Sequence, residues 1–103
     1  MDESVVKHLG RPLDSVARRL LSAAEHIDRV GLWKSGEAQG FPRSCALLAI
    51  CRADPLSDPN PAIERFRIAM GFNRQYEIAD WNDAPERTQE DVVSALRRVA
   101  NGE

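Results

Sequence analysis

Residues 44–53, SCALLAICRA, decide the fold class. The run is apolar on nearly every side, so it reads as the buried central helix of a small domain or, as the weaker alternative, as a buried strand. Its small Ala and Cys residues and the proline at position 42, suited to a helix start, favour the helix. What flanks it agrees. Upstream, Leu13, Val16, Ala17, Leu20, Leu21, Ala24 and Ile27 repeat at the three-and-four spacing of one helical face, which predicts a helix over about 12–30. Pro12 fits its first turn and Gly31 can close its end in the left-handed conformation. Downstream, Asp54 to Pro61 is a proline-rich connector, and Ile63, Phe66, Ala69 and Met70 then form the face of a third helix that stops at Gly71. Asn60 is the expected cap of that helix, with Pro61 in its first turn.

The last helix carries Val92, Val93, Leu96, Val99 and Ala100 on one face, with Glu90 and Asp91 in its first turn and Arg97 and Arg98 in its last, as the helix dipole favours. Between the third and last helices, residues 72–80 fit a short strand or a short helical turn; a lone strand has nothing to pair with, so the turn is the expectation. The segment 81–88, WNDAPERT, holds two successive capping signals, Asp83 ahead of Glu86 and Thr88 ahead of Asp91. It reads as a doubly capped corner that starts the final helix, with Trp81 as the wedge beneath it and Asn82 tying neighbouring backbone groups. The expected fold is therefore all-α: a single small domain over 1–103 of about four helices, orthogonal or bundle-like, with 1–11 as an extra turn or a loose N-terminal arm.

Composition narrows function mainly by exclusion. The chain has 103 residues, 43% hydrophobic and 29% charged, which is the make-up of an ordinary globular domain. Fourteen basic against sixteen acidic residues give a net charge of -2, with no basic excess to attract nucleic acid or anionic lipid. The longest apolar run, Ala46 to Cys51, falls far short of the roughly 20 residues that span a bilayer. Asp2 and Glu3 stand where a secretory signal would carry basic residues, so the cytoplasm is the expected location.

No catalytic or metal-binding pattern emerges, and neither a metal nor a cofactor is expected. Cys45 and Cys51 lie six apart on one predicted helix, about 120° from each other around its axis, so they are expected to be core thiols rather than a disulfide or a zinc pair. His26 sits beside the core face as a boundary histidine. No serine has nucleophile-elbow glycines around it, and the glycines of 31–40 follow no strand, so they make no phosphate loop. A helix-turn-helix reading of Tyr76 to Asp83 followed by the last helix would put Gln89, Glu90 and Asp91 against phosphates that repel the two carboxylates.

The segments WNDAPERTQEDVVSALRRVA, LLSAAEHIDRVGLWKSG and RSCALLAICRA resemble a small family of uncharacterised proteins encoded by high-GC bacteria and their phages. In that pattern a first helix ends in a Gly-Trp turn, an Arg-x-Cys-Ala helix follows, and a Trp-Asn-Asp-x-Pro-x-Arg-Thr start opens the last helix. The resemblance covers most of residues 20–100; it departs at Leu32, which separates Gly31 from Trp33, and at Leu48, where the pattern carries a small residue. It implies a helical domain of phage or mobile-element flavour, and it carries no activity onto named residues.

Two classes of function follow. The first is a non-catalytic protein-interaction or adaptor module, homodimeric in one form, whose surface would include Trp33, Phe41, Phe72 and Tyr76. The alternative is a small-ligand or nucleic-acid binder using the corner of Trp81, Asn82, Asp83 and Arg87 beside Arg43.

Overall fold

A computed structural model describes residues 14–34 and 45–102, and within them the chain is all-α, with five helices. They are α1 (Ser15–Val30), α2 (Ala46–Arg52), α3 (Asn60–Ala69), α4 (Tyr76–Asp83) and α5 (Gln89–Ala100). The Arg43 and Phe41 positions, and the proposed N-terminal arm, lie outside the described residues.

The two long helices form the centre. α1 packs most extensively against α5 and then against α2, and α3 and α4 close the remaining sides. Leu20, Ala23, Ala24 and Ile27 of α1, Ile50 of α2, Phe66 of α3, Ile78 of α4 and Val92 and Leu96 of α5 are fully buried in one core. The periodic faces read from the sequence for α1, α3 and α5 supply much of it, and α2 and Ile78 of α4 add the rest together with small alanines. α1 begins at Asp14, whose carboxylate accepts from the Ala17 N–H at 2.8 Å. The same carboxylate receives both terminal nitrogens of Arg65, at 3.0 and 2.9 Å, which fastens the start of α1 to α3. Gly31 ends α1 at φ 97°, a conformation that glycine adopts without a side-chain penalty. α5 opens with a full capping box: Thr88 Oγ1 accepts from the Asp91 N–H while Asp91 accepts from the Thr88 N–H.

Four expectations are corrected. There are five helices rather than four among the described residues, because 76–83 is a helix and not a turn. Asp83 is consequently the last residue of α4 and not the N-cap of a following turn. Asn60 lies inside α3, which starts without any side-chain cap; instead Asp58 accepts from the Asn60 N–H at 3.0 Å. Cys45 is the N-cap of α2, its sulfur 3.4 Å from the Leu48 N–H, and Cys45 and Cys51 are both half-buried thiols rather than core residues.

Candidate functional site

The Trp81–Arg87 corner closes the end of α4, and its Asn82 faces inward. Asn82 is 1% exposed. Its Oδ1 accepts from the Ala46 N–H at 3.0 Å, one of the amides that the first turn of α2 leaves without an intrahelical partner. Its Nδ2 donates to the Trp33 carbonyl at 3.0 Å and to Asp83 Oδ1 at 3.2 Å. Asn82 thus ties backbone groups 36 and 49 residues away, not its neighbours. It joins the end of α4, the start of α2 and the segment after α1.

That segment is fastened to the corner by three consecutive residues. The Leu32 N–H donates to Gln89 Oε1 at 3.1 Å, the Trp33 carbonyl accepts from Asn82, and Lys34 Nζ donates to the Ala84 carbonyl at 2.6 Å. Trp81 fills the space below. Its ring meets Phe66 edge-on with centroids 5.8 Å apart and lies 6.4 Å from Phe72, while the Arg87 guanidinium stands 4.9 Å above it. Arg87 Nε also donates to the Trp81 carbonyl at 3.0 Å, which closes the 81–87 loop on itself.

Of the four residues expected on an interaction surface, Phe41 lies outside the described residues. Trp33 is half-buried, with its indole nitrogen enclosed, and Phe72 packs on Trp81. Among the three that are described, Tyr76 is the most open to solvent, at 62% exposed. Among the described residues, the apolar side chains most open to solvent are ones the sequence reading passed over, Leu56 at 94% and Ile68 at 64%.

Sequence reasoning also missed Arg19, a cation on the buried face of α1. It is 6% exposed, and its Nη1 donates to the Ile50 carbonyl at 2.7 Å, where α2 is ending. Nη2 donates to the carbonyls of Asp54 at 2.8 Å and Ser57 at 3.0 Å. The turn so gripped is braced from within: Asp54 accepts from the Leu56 N–H at 3.1 Å and from the Ser57 hydroxyl at 2.8 Å. These two bonds hold the Asp54 carboxyl below its usual pKa, the Ser57 hydroxyl having the larger effect. Between this turn and α1 lies a cleft of about 550 Å³, with Val16, Arg18, Ala53 and Pro61 among its walls. A signal for Arg19 does exist in the sequence, since it falls between the apolar positions Val16 and Leu20; its partners, 31 or more residues distant, leave none.

His26 has an environment that resists protonation. Its Nε2 is buried and meets no hydrogen-bonding group among the described residues, and Arg29 Nη2 lies 3.5 Å from its Nδ1. Burial is the largest cause of its lowered pKa, followed by the charges of Arg29 and Arg52. An unfolded chain takes up this proton near pH 6.5 whereas the folded chain holds it off, so the unfolded state gains as the pH falls. The contribution of His26 is expected to be complete above about pH 6.5 and to be lost as the pH drops toward the lower folded value. Urea midpoints at pH 7.5 and pH 5 measure it: the wild type should lose stability between them, and His26→Gln should lose less. An equal loss in both would contradict the assignment.

Among the described residues, no three His, Cys, Asp or Glu side chains converge as a metal site requires, and no helix is long and apolar enough to cross a membrane. Comparison with known proteins gives a family without a function. The model of a "Family of unknown function (DUF6197)" matches residues 11–102, and the chain belongs to that family. No curated protein matches, and no solved structure does.

Proposed function

We propose that this member of a family of unknown function is a non-catalytic protein-interaction or adaptor module. Its setting, on this reading, is the cytoplasm of the high-GC bacteria or phages that the resemblance of its motifs implies. One contrast carries the reading. The polar groups of the most distinctive corner are spent on the chain's own backbone, while Leu56, Ile68 and Tyr76 are large side chains left in water. Ile68 and Tyr76 flank the turn between α3 and α4, and exposed apolar groups of this kind gain free energy on burial against another protein.

The ligand-binding alternative at Trp81, Asn82 and Asp83 has less to work with. Both side-chain ends of Asn82 are occupied, Asp83 accepts from Asn82, and Arg87 is stacked on Trp81. For nucleic acid, the exposed Glu90 and Asp91 at the head of α5 add repulsion. The test is affinity capture from the native host with the wild type and an Ile68→Ser, Tyr76→Ser double variant. Surface changes such as these should leave stability within about 0.5 kcal/mol per site. A defined set of proteins retained by the wild type and lost by the variant is the expected result; identical capture by both, or none by either, would count against the module.

A further inference from the structure

We propose that the chain cleaves its own backbone at the Asp54–Pro55 peptide bond, with the Asp54 carboxylate as nucleophile and the buried Arg19 guanidinium stabilising the oxyanion that forms on the Asp54 carbonyl. The event happens once, on the chain itself, so it stands apart from the interaction-module reading and is tested apart from it.

An Asp-Pro bond is open to attack by its own side chain. The aspartate oxygen closes a five-membered ring on its main-chain carbonyl carbon, and the tertiary amide nitrogen of proline takes up a proton and departs more easily than a secondary one. The connector holds two such bonds, Asp54–Pro55 and Asp58–Pro59. Their carboxylates are placed alike. Asp54 Oδ1 accepts from the Leu56 N–H at 3.1 Å and Asp58 Oδ1 from the Asn60 N–H at 3.0 Å, in each case an Asx turn that folds the side chain over the peptide following it.

The two bonds differ at the carbonyl. That of Asp54 accepts from Arg19 Nη2 at 2.8 Å and from the Ser57 N–H at 3.4 Å, whereas that of Asp58 meets no donor among the described residues. Arg19 is 6% exposed, and its bonds to the Ile50 and Ser57 carbonyls fix it in place, so its charge already stands where negative charge develops. A cation attracts an oxyanion more strongly than the neutral carbonyl it meets in the resting chain, and that difference is what speeds the step. The Ser57 hydroxyl, donating to Asp54 Oδ2 at 2.8 Å, and the Leu56 N–H keep the nucleophile ionised further into acid than an ordinary aspartate. Asp54 and Pro55 are both exposed, so water reaches the bond.

Attack by a carboxylate oxygen of Asp54 forms the new C–O bond and moves the carbonyl electron pair onto the oxygen facing Arg19. The pair returns as the C–N bond breaks, and the Pro55 nitrogen takes a proton from solvent. Water then opens the cyclic anhydride to the two carboxylates of a C-terminal aspartate. One water is consumed in all, and the products are 1–54 and 55–103. Because the leaving nitrogen needs a proton, cleavage accelerates as the pH falls for as long as Asp54 stays ionised.

The second Asp-Pro bond is an internal control. The full chain is held at pH 5 and 37 °C, with circular dichroism to show that it is folded, and fragments are quantified by mass spectrometry after denaturation. The folded wild type should be cut at Asp54–Pro55 roughly 100-fold faster than at Asp58–Pro59, the lower end of what one oxyanion donor supplies. In concentrated urea at the same pH, where Arg19 no longer meets the carbonyl, the two rates should converge, and this arm needs no variant to fold. Asp54→Asn and Pro55→Ala should each lose the cut at 54, and Arg19→Met should bring its rate down to that of the second bond. An uncut folded wild type, equal rates at the two bonds in the folded chain, or a preference for Asp54 that persists in urea or in Arg19→Met would overturn the proposal.

Discussion

Asn82→Ala is expected to be the most damaging single truncation on the α4–α5 corner, lowering stability by roughly 3–5 kcal/mol. The reasoning starts from what the truncation strands. The Ala46 N–H loses its acceptor at the head of α2, and the Trp33 carbonyl loses its donor on the segment after α1. Each buried polar group left without a partner costs about 1–3 kcal/mol, and the methyl group of alanine leaves space that water cannot fill on the same terms. Against a total of about 5–15 kcal/mol for a domain of this kind, the loss is a large fraction. Its position matters as much as its size, because three segments meet at this one amide. Urea denaturation reads the effect as a lower midpoint. An unchanged midpoint would mean that Asn82 is dispensable to the fold, and the corner would again be a candidate binding site.

Arg19→Met keeps the length and most of the apolar contact of the side chain while removing its donors. The carbonyls of Ile50, Asp54 and Ser57 then lose their shared partner, at an expected cost of about 2–4 kcal/mol. Arg19→Lys should recover only part of this, because a single ammonium cannot span α2 and the 54–57 turn as the planar guanidinium does. Urea midpoints measure the cost, and amide hydrogen exchange locates it: Leu56 and Ser57 should exchange faster in Arg19→Met. Uniform exchange across the chain with a normal midpoint would show that the turn does not depend on Arg19.

The parts of this fold that are legible in the sequence are those set by local pattern. α1, α3 and α5 announce themselves through apolar residues at helical spacing, and Thr88 with Asp91 marks the start of α5 by a capping rule that needs only four consecutive residues. α4 escapes because its buried face is Ile78 and Asn82, four apart, and an asparagine in an apolar seat breaks the pattern that a periodicity reading looks for. It also lacks a side-chain cap, so its stability comes from what Trp81 and Ile78 touch rather than from anything in residues 72–83 themselves. Asp83 misleads for the same reason: without α4 in view, its last residue looks like the cap of something new.

The candidate sites divide likewise. Trp81, Asn82, Asp83 and Arg87 are distinctive in sequence and do come together, yet only their partners reveal that they fasten the chain to itself. Arg19 works through carbonyls 31 to 38 residues away, a distance at which sequence carries no signal. Leu56 is silent for the opposite reason, since an apolar residue in a proline-rich connector looks incidental until the bonds around it show a rigid tip.

The central claim is that Asn82 is a structural tie and that recognition belongs to the surface. Hydrogen exchange of the Asn82 Nδ2 protons, followed by NMR, tests it most directly. A donor enclosed between the Trp33 carbonyl and Asp83 should exchange only when the fold opens, orders of magnitude more slowly than a free side-chain amide. Exchange at the rate of a free amide would show an Asn82 open to solvent and to ligands, and would contradict the account.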